Sequence, residues 1–208
     1  MKNNKIDVIK ILLCILLKSG LVLTIINLIV FLLIISSNVS AQPSQPERLI
    51  VGSNIPEQLW NANLTVIHES GERTLSLHDF RGKPFILDFW TTWCGVCIKN
   101  LPRLDSIHYS NRGKLNVLML NASSSKTGFS KEREFIRRFL GEHKSFFTPL
   151  ILRNDDLQGA FAIASVPRYI WVGADGEIKA ITGHTELTGT NIEKFISGGK
   201  LNLNSQSK

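Results

Sequence analysis

Cys94 and Cys97, separated by Gly95 and Val96, are the residues of this 208-residue chain whose type and spacing point most directly to chemistry. They stand where an apolar run, Pro84-Phe85-Ile86-Leu87-Asp88-Phe89-Trp90, gives way to a stretch with helical spacing. The third cysteine, Cys14, lies inside an N-terminal apolar segment, so the remainder of the chain holds one pair of thiols. A single close pair suits dithiol–disulfide exchange and is too few cysteines for a structural zinc site or a disulfide framework. At a helix start, Cys94 meets free backbone N–H groups and the positive end of the dipole. These favour the thiolate and draw a thiol pKa from about 8.5 to roughly 7 or below. Cys94, nearer the exposed end, is the expected nucleophile, and Cys97, one turn in, the thiol that resolves the mixed disulfide. The rival reading is an inert structural disulfide, but closing so short a loop stabilises a fold little.

The elements that must hold this pair follow from periodicity and turn residues. Leu64-Thr65-Val66-Ile67 and Arg73-Thr74-Leu75-Ser76 flank Glu69-Ser70-Gly71-Glu72 and predict a hairpin. Leu77 to Gly82 predicts a short helical turn before the strand at 84–90. Ile98, Leu101, Leu104 and Ile107 recur at helical spacing to about residue 110, with Pro102 expected to kink that helix. A strand is expected at 114–121, a polar loop at 121–130, and a helix from a Ser130 cap to Leu140. Thr148 to Arg153 predicts a strand, Asp155 or Asp156 a cap for a helix through Ile163. Tyr169 to Val172 and Ile178 to Ile181 flank Ala174-Asp175-Gly176-Glu177, an Asp-Gly hairpin. Thr190 or Asn191 opens a last helix to about Ser197, and 199–208 is expected to fray. This order predicts an α/β protein with a mixed sheet.

Lys2, Lys5, Lys10 and Lys18 precede the run Leu21 to Ile35, which only Thr24 and Asn27 interrupt. With Val39-Ser40-Ala41 as a small-x-small pattern, residues 1–41 read as an export signal cleaved before Gln42. The alternative is an uncleaved signal anchor, since Ile6 to Ile35 is about long enough to span a bilayer. Either reading places the rest outside the cytoplasm, in the periplasm or cell envelope, with the membrane touched only through this segment. Residues 42–49 form a polar linker with Pro43 and Pro46. Losing residues 1–41 lowers the formal charge from +7 to +4. That charge is spread along the chain without a basic run interleaved with aromatics, so nucleic-acid binding gains no support. His68, His78, His108, His143 and His184 form no metal-ligand spacing, and no metal or cofactor is expected.

Asp88 to Cys97 resembles the active-site segment of thioredoxins, and the chain over about 50–198 is similar to the exported TlpA/ResA-like thiol-disulfide family. The resemblance also rests on Gly52-Ser53-Asn54-Ile55-Pro56, Leu77-x-x-Phe80-x-Gly82-Lys83, Leu101-Pro102, Val166-Pro167 and Ala174-Asp175-Gly176-Glu177-Ile178. It implies a thioredoxin fold, with a central mixed sheet flanked by helices, an N-terminal hairpin extension and an inserted helical connection. It implies too that Cys94 and Cys97 form the redox disulfide, and that Pro167 is a cis-proline beside it, with Val166 facing a substrate peptide. By the same resemblance Asp88 is the buried acid behind the cysteines, its pKa raised by desolvation so that it exchanges protons with Cys97. Trp93 is the flat shoulder on which substrate rests, while Trp90 belongs to the core. Two departures stand out: the lysine that thioredoxins set near that acid is replaced around Met119, and the glutamate that ResA-like proteins carry two residues before the proline is Asn100.

The expected activity is thiol-disulfide exchange with protein substrates carrying thiols or disulfides, cycled by an envelope electron donor or acceptor. Two other readings compete with it. A copper carrier would use the two thiolates, since soft sulfur suits Cu(I), but Met119 is the sole methionine besides Met1. A thiol peroxidase would use Thr91, three residues before Cys94, but no proline precedes it.

Overall fold

The computed structural model describes residues 4–37, 48–123, 129–201 and 203. The small-x-small pattern at 39–41, the linker over 42–47 and residues 124–128 of the polar loop lie outside the described residues. The chain divides into two compact units, Met1–Gln45 and Pro46–Lys208. Among its described residues the first is helix α1 (Asn4–Ser37), whose segment Val8–Leu33 is long and apolar enough to cross a membrane. At 1.5 Å per residue that segment runs for about 39 Å, more than a bilayer's hydrocarbon core.

In the second unit, α2 (Glu57–Trp60) precedes the hairpin β1 (Asn63–His68) and β2 (Gly71–Ser76), and a 3₁₀ turn at Leu77–Phe80 leads into β3 (Phe85–Trp90). Ser76 closes that turn as a capping box with Asp79: Ser76 N–H donates to Asp79 Oδ2 at 2.9 Å. Then follow α3 (Gly95–Ser110), β4 (Asn116–Asn121), α4 (Ser130–Glu142), β5 (Leu150–Ile151), α5 (Asp155–Ala160), β6 (Arg168–Val172), β7 (Ile178–Thr182) and α6 (Gly189–Ile196). One seven-stranded sheet has the order β2-β1-β5-β4-β3-β6-β7. β3, β4 and β5 are parallel, and the strands beyond them on either side run antiparallel to their neighbours. Parallel neighbours need crossovers of a dozen or more residues, which α3 and α4 supply. The mixed sheet, the N-terminal hairpin and the inserted helix α4 match the architecture expected above.

β3 is central, and all six of its residues are buried. Its side chains alternate between two cores, as a strand's period of two requires. Phe85, Leu87 and Phe89 join Leu64, Val66, Leu118 and Ile170 on one face. Ile86 and Trp90 join Cys97, Leu101, Met119, Ile136, Tyr169 and Phe195 on the face that carries α3, α4 and α6. Asp88 lies between Ile86 and Trp90 in that second row.

Two helix starts, those of α5 and α6, differ from expectation for one reason: the residue whose side chain is free to fold back onto the first turn is the one just outside it. Asn154, not Asp155 or Asp156, caps α5, its side chain accepting from Leu157 N–H at 2.9 Å. Thr188, not Thr190 or Asn191, caps α6 by accepting from Asn191 N–H. Ser130 is the first residue of α4, whose cap position holds Phe129 and makes no side-chain bond. α5 ends at Ala160 rather than Ile163. In the β6–β7 hairpin Gly176 takes φ +81°, and a Cβ there would come 3.0 Å from the Trp60 ring, so glycine serves both the turn and the packing. Leu49 is buried and donates its N–H to Ala160 O, and Leu201 and Leu203 pack on the α3-side core. The fold thus holds a residue of the expected linker and two of the expected frayed tail.

Candidate active site

The carboxyl end of β3 delivers the chain to the site. Trp90 is fully buried and its ring lies 5.9 Å from that of Phe135 on α4, while Ala122 N–H donates to Trp90 O at 2.6 Å. The chain then turns, with Cys94 N–H donating to Thr91 O, and Cys94 becomes the cap residue of α3. Its Sγ accepts from Cys97 N–H at 3.3 Å, the place a serine or aspartate oxygen takes in an ordinary cap. The cap satisfies one of the four orphan donors of α3 with sulfur. A negative charge on that sulfur would be held by the same N–H and by the helix dipole.

Cys94 and Cys97 form a disulfide with S–S 2.12 Å and Cα–Cα 5.2 Å. Cys97 is 1% exposed and Cys94 7%, so Cys94 is the sulfur nearer solvent. Trp93, immediately before it, is 75% exposed, and Val96 also faces outward. The Val166–Pro167 bond is cis, the geometry the resemblance implies, and Val166 O lies 4.0 Å from Cys94 Sγ. A disulfide sulfur carries no proton, so this is a contact rather than a hydrogen bond. Arg168, next in the chain, is buried and donates to Ser165 Oγ at 3.2 Å.

Asp88 is 1% exposed, and desolvation pushes its carboxyl well above the ordinary range. Its neighbours explain why nothing opposes that shift. In register it faces Met119 on β4 and Tyr169 on β6, neither of which carries a positive charge. Met119 therefore occupies the cross-strand position beside the acid. Asp88 Oδ1 has no hydrogen-bond partner among the described residues. It lies on the sheet face that α3 covers, the face that also holds Cys97.

Sequence reasoning missed two residues. Asp105, buried on α3, accepts from Phe147 N–H, Thr148 N–H and Thr148 Oγ1 at 2.8, 2.7 and 2.8 Å, and so ties the segment before β5 to the active-site helix. A carboxylate on the apolar side of α3, four residues after Leu101, is the signal for it. Tyr169 is fully buried opposite Asp88, and its signal is its place two residues after Pro167. His108 serves structure: its Nδ1 accepts from Val117 N–H at 3.1 Å, joining α3 to β4, and burial lowers its pKa. Thr91 is buried, its hydroxyl unpartnered among the described residues, and these residues contain no cluster of three His, Cys, Asp or Glu side chains.

The Redoxin family model matches residues 51–195. Among curated relatives, thiol-disulfide oxidoreductase ResA of Geobacillus kaustophilus is 28% identical over 127 residues, covering 60% of this chain and 67% of its own. Thioredoxin-like protein YneN of Bacillus subtilis is 28% identical over 112 residues, covering 54% of this chain and 62% of its own. Among solved structures, the thioredoxin domain of a thiol-disulfide oxidoreductase from Bacteroides vulgatus superposes with TM-score 0.53 at 26% identity, over 71% of this chain and 99% of that one. A thiol:disulfide interchange protein from a Bacteroides species gives TM-score 0.51 at 27% identity, over 73% and 93%.

Proposed function

The chain belongs to the redoxin family, and from that premise we propose that it is an extracytoplasmic thiol-disulfide oxidoreductase acting on protein substrates through Cys94 and Cys97. The observation that carries this reading is the disulfide at the cap of α3, with one sulfur near solvent, the other buried, and an N–H aimed at the outer one. In the reducing direction, Cys94 thiolate attacks one sulfur of a substrate disulfide. A Cys94–substrate S–S bond forms, and the substrate's S–S bond breaks, releasing a thiolate that takes a proton from water. Cys97 then gives its proton to ionised Asp88 and attacks Cys94 Sγ. The Cys94–Cys97 bond forms, the substrate leaves as its second thiolate, and two electrons have passed from the cysteine pair to the substrate. The opposite direction reverses each step, with protonated Asp88 returning the proton to Cys97 as it leaves.

Trp93 and Val96 form an apolar shoulder beside Cys94, and the Val166–Pro167 backbone faces the same sulfur. Together they suit an extended peptide bearing the target cysteine. The apolar helix α1 suits either an export signal or an anchor, which leaves the second unit in the periplasm or cell envelope. The electron donor or acceptor that resets the pair belongs to the same compartment.

The test is insulin disulfide reduction by the full chain in detergent with dithiothreitol as electron source. The native protein is expected to accelerate it and Cys94→Ser to abolish the acceleration; full activity in Cys94→Ser would overturn the assignment.

A further inference from the structure

Two side chains of α3, Asp105 and His108, lie one helical turn apart and close the same weak place in the sheet. The backbone donors of β4 alternate between its two neighbours. Asn116 N–H turns toward β3 and donates to Pro84 O, whereas Met119 N–H turns toward β5 and donates to Pro149 O, both at 3.1 Å. Val117, two residues before Met119, therefore turns its N–H to the β5 side as well. β5 begins only at Leu150 and pairs with Met119 and Leu120, so it stops short of that donor. His108 fills the place: Val117 N–H donates to His108 Nδ1 at 3.1 Å. Asp105 meanwhile holds the chain that would otherwise extend β5, accepting from Phe147 N–H and Thr148 N–H. A backbone N–H can only donate, so Nδ1 is unprotonated and the ring is neutral, with its proton on Nε2. Val117 is fully buried, so its N–H meets no solvent if the ring withdraws.

We propose that His108 is an acid-sensitive latch between the active-site helix and the sheet: neutral, it accepts from Val117 and clasps the end of α3 to the start of β4; protonated, it releases that donor. A proton on Nδ1 sets two N–H groups face to face, so the bond does not survive protonation. The charges that act on the ring both belong to α3: Asp105, one turn earlier, favours the imidazolium, and Arg112, one turn later, opposes it. β4 brings the uncharged Val117, and the segment before β5 brings the uncharged Phe147 and Thr148 to the same part of the helix. Burial has the largest effect and holds the ring's pKa below its ordinary value of about 6.5. Above that value the ring is neutral whether the latch is closed or open, and pH has no effect through it. As pH falls from there toward the lower pKa of the closed form, the open form takes the proton first and the latch weakens. The released imidazolium is drawn to Asp105, the carboxylate that anchors Phe147 and Thr148, so one proton disturbs both ties.

The test is hydrogen exchange of the full chain in detergent, read at the Val117 amide by NMR and corrected for the intrinsic pH dependence of exchange. Native protection at Val117 is expected to fall as pH is lowered from about 7.5 to about 5.5, by up to about tenfold per pH unit, the most that one linked proton allows. His108→Asn sets a carboxamide oxygen near the place of Nδ1 and cannot titrate, so its Val117 protection should stay level over the same range. The slope decides, whatever protection the variant starts from. His68, at the end of β1, also has its pKa lowered, by burial and then by Arg73. It titrates in both proteins, so the difference between them belongs to His108. Native protection that stays level across the range, or that falls equally in His108→Asn, would overturn the latch. Cys94 and Cys97 take no part in this readout, so its outcome is independent of insulin reduction.

Discussion

Cys97 N–H points at Cys94 Sγ across 3.3 Å, so the first turn of the active-site helix is capped by the sulfur that must carry the attacking charge. In the reduced protein this relationship predicts two unequal thiols. Cys94 should alkylate with a midpoint below the ordinary thiol value of about 8.5, and Cys97, 1% exposed, should alkylate far more slowly. Iodoacetamide labelling across pH with mass mapping measures both. Equal rates at the two positions would contradict the geometry.

Asp88 makes stability depend on pH in a definite sense. Its folded pKa is raised by burial, whereas in the unfolded chain it titrates near the ordinary value of about 3.9. Below that value the carboxyl is protonated in both states and costs nothing. As pH rises toward the folded pKa, the unfolded chain releases its proton first, and stability falls until the folded protein ionises too. Asp88→Asn removes this loss. The variant should match the native protein near pH 4 and exceed it at pH 7 to 8 by about 1 kcal/mol or more, roughly 2–4 °C in melting temperature. Its turnover should be slower by about tenfold to a hundredfold, with a flattened pH profile. Thermal melts and insulin reduction at several pH values check both signs.

Trp93 is 75% exposed, so truncating it removes surface that only a bound substrate would cover. Trp93→Ala should leave the melting temperature unchanged, leave the rate with a small aromatic disulfide intact, and raise KM for a protein disulfide by roughly tenfold. Saturation kinetics with the two substrate types separate these outcomes.

Asp105 accepts three hydrogen bonds from Phe147 and Thr148. Asp105→Ala leaves the buried Thr148 donors without an acceptor, which should destabilise the fold by about 2–3 kcal/mol. Asp105→Asn keeps one acceptor oxygen and should lose less. Denaturant unfolding of the two variants checks the order.

The site was legible in the sequence where one short segment carries both chemistry and conformation. The apolar run 84–90, followed closely by Trp93-Cys94, marked the strand, the helix start and the thiol pair together, and Asp175-Gly176 marked the β6–β7 turn. Caps were less legible, because Asn154 and Asp155 are both good capping residues and only the backbone decides which lies outside the helix. The register of Tyr169 opposite Asp88 was illegible for a different reason. Tyr169 is 81 positions from Asp88, and a tyrosine in an apolar strand looks like core until the antiparallel register places it opposite a buried acid. Asp105 depended likewise on contacts with a distant segment.

If Cys94 attacks and Cys97 resolves, the mixed disulfide with substrate forms at Cys94 and persists when Cys97 is removed. Reduced Cys97→Ser in the full chain, mixed with unfolded protein substrates that carry disulfides, should accumulate a covalent adduct that maps to Cys94 by mass spectrometry and is released by dithiothreitol. Cys94→Ser under the same conditions should accumulate none, because Cys97 is buried. An adduct on Cys97, or equal trapping by the two variants, would show that Cys94 is not the attacking thiol.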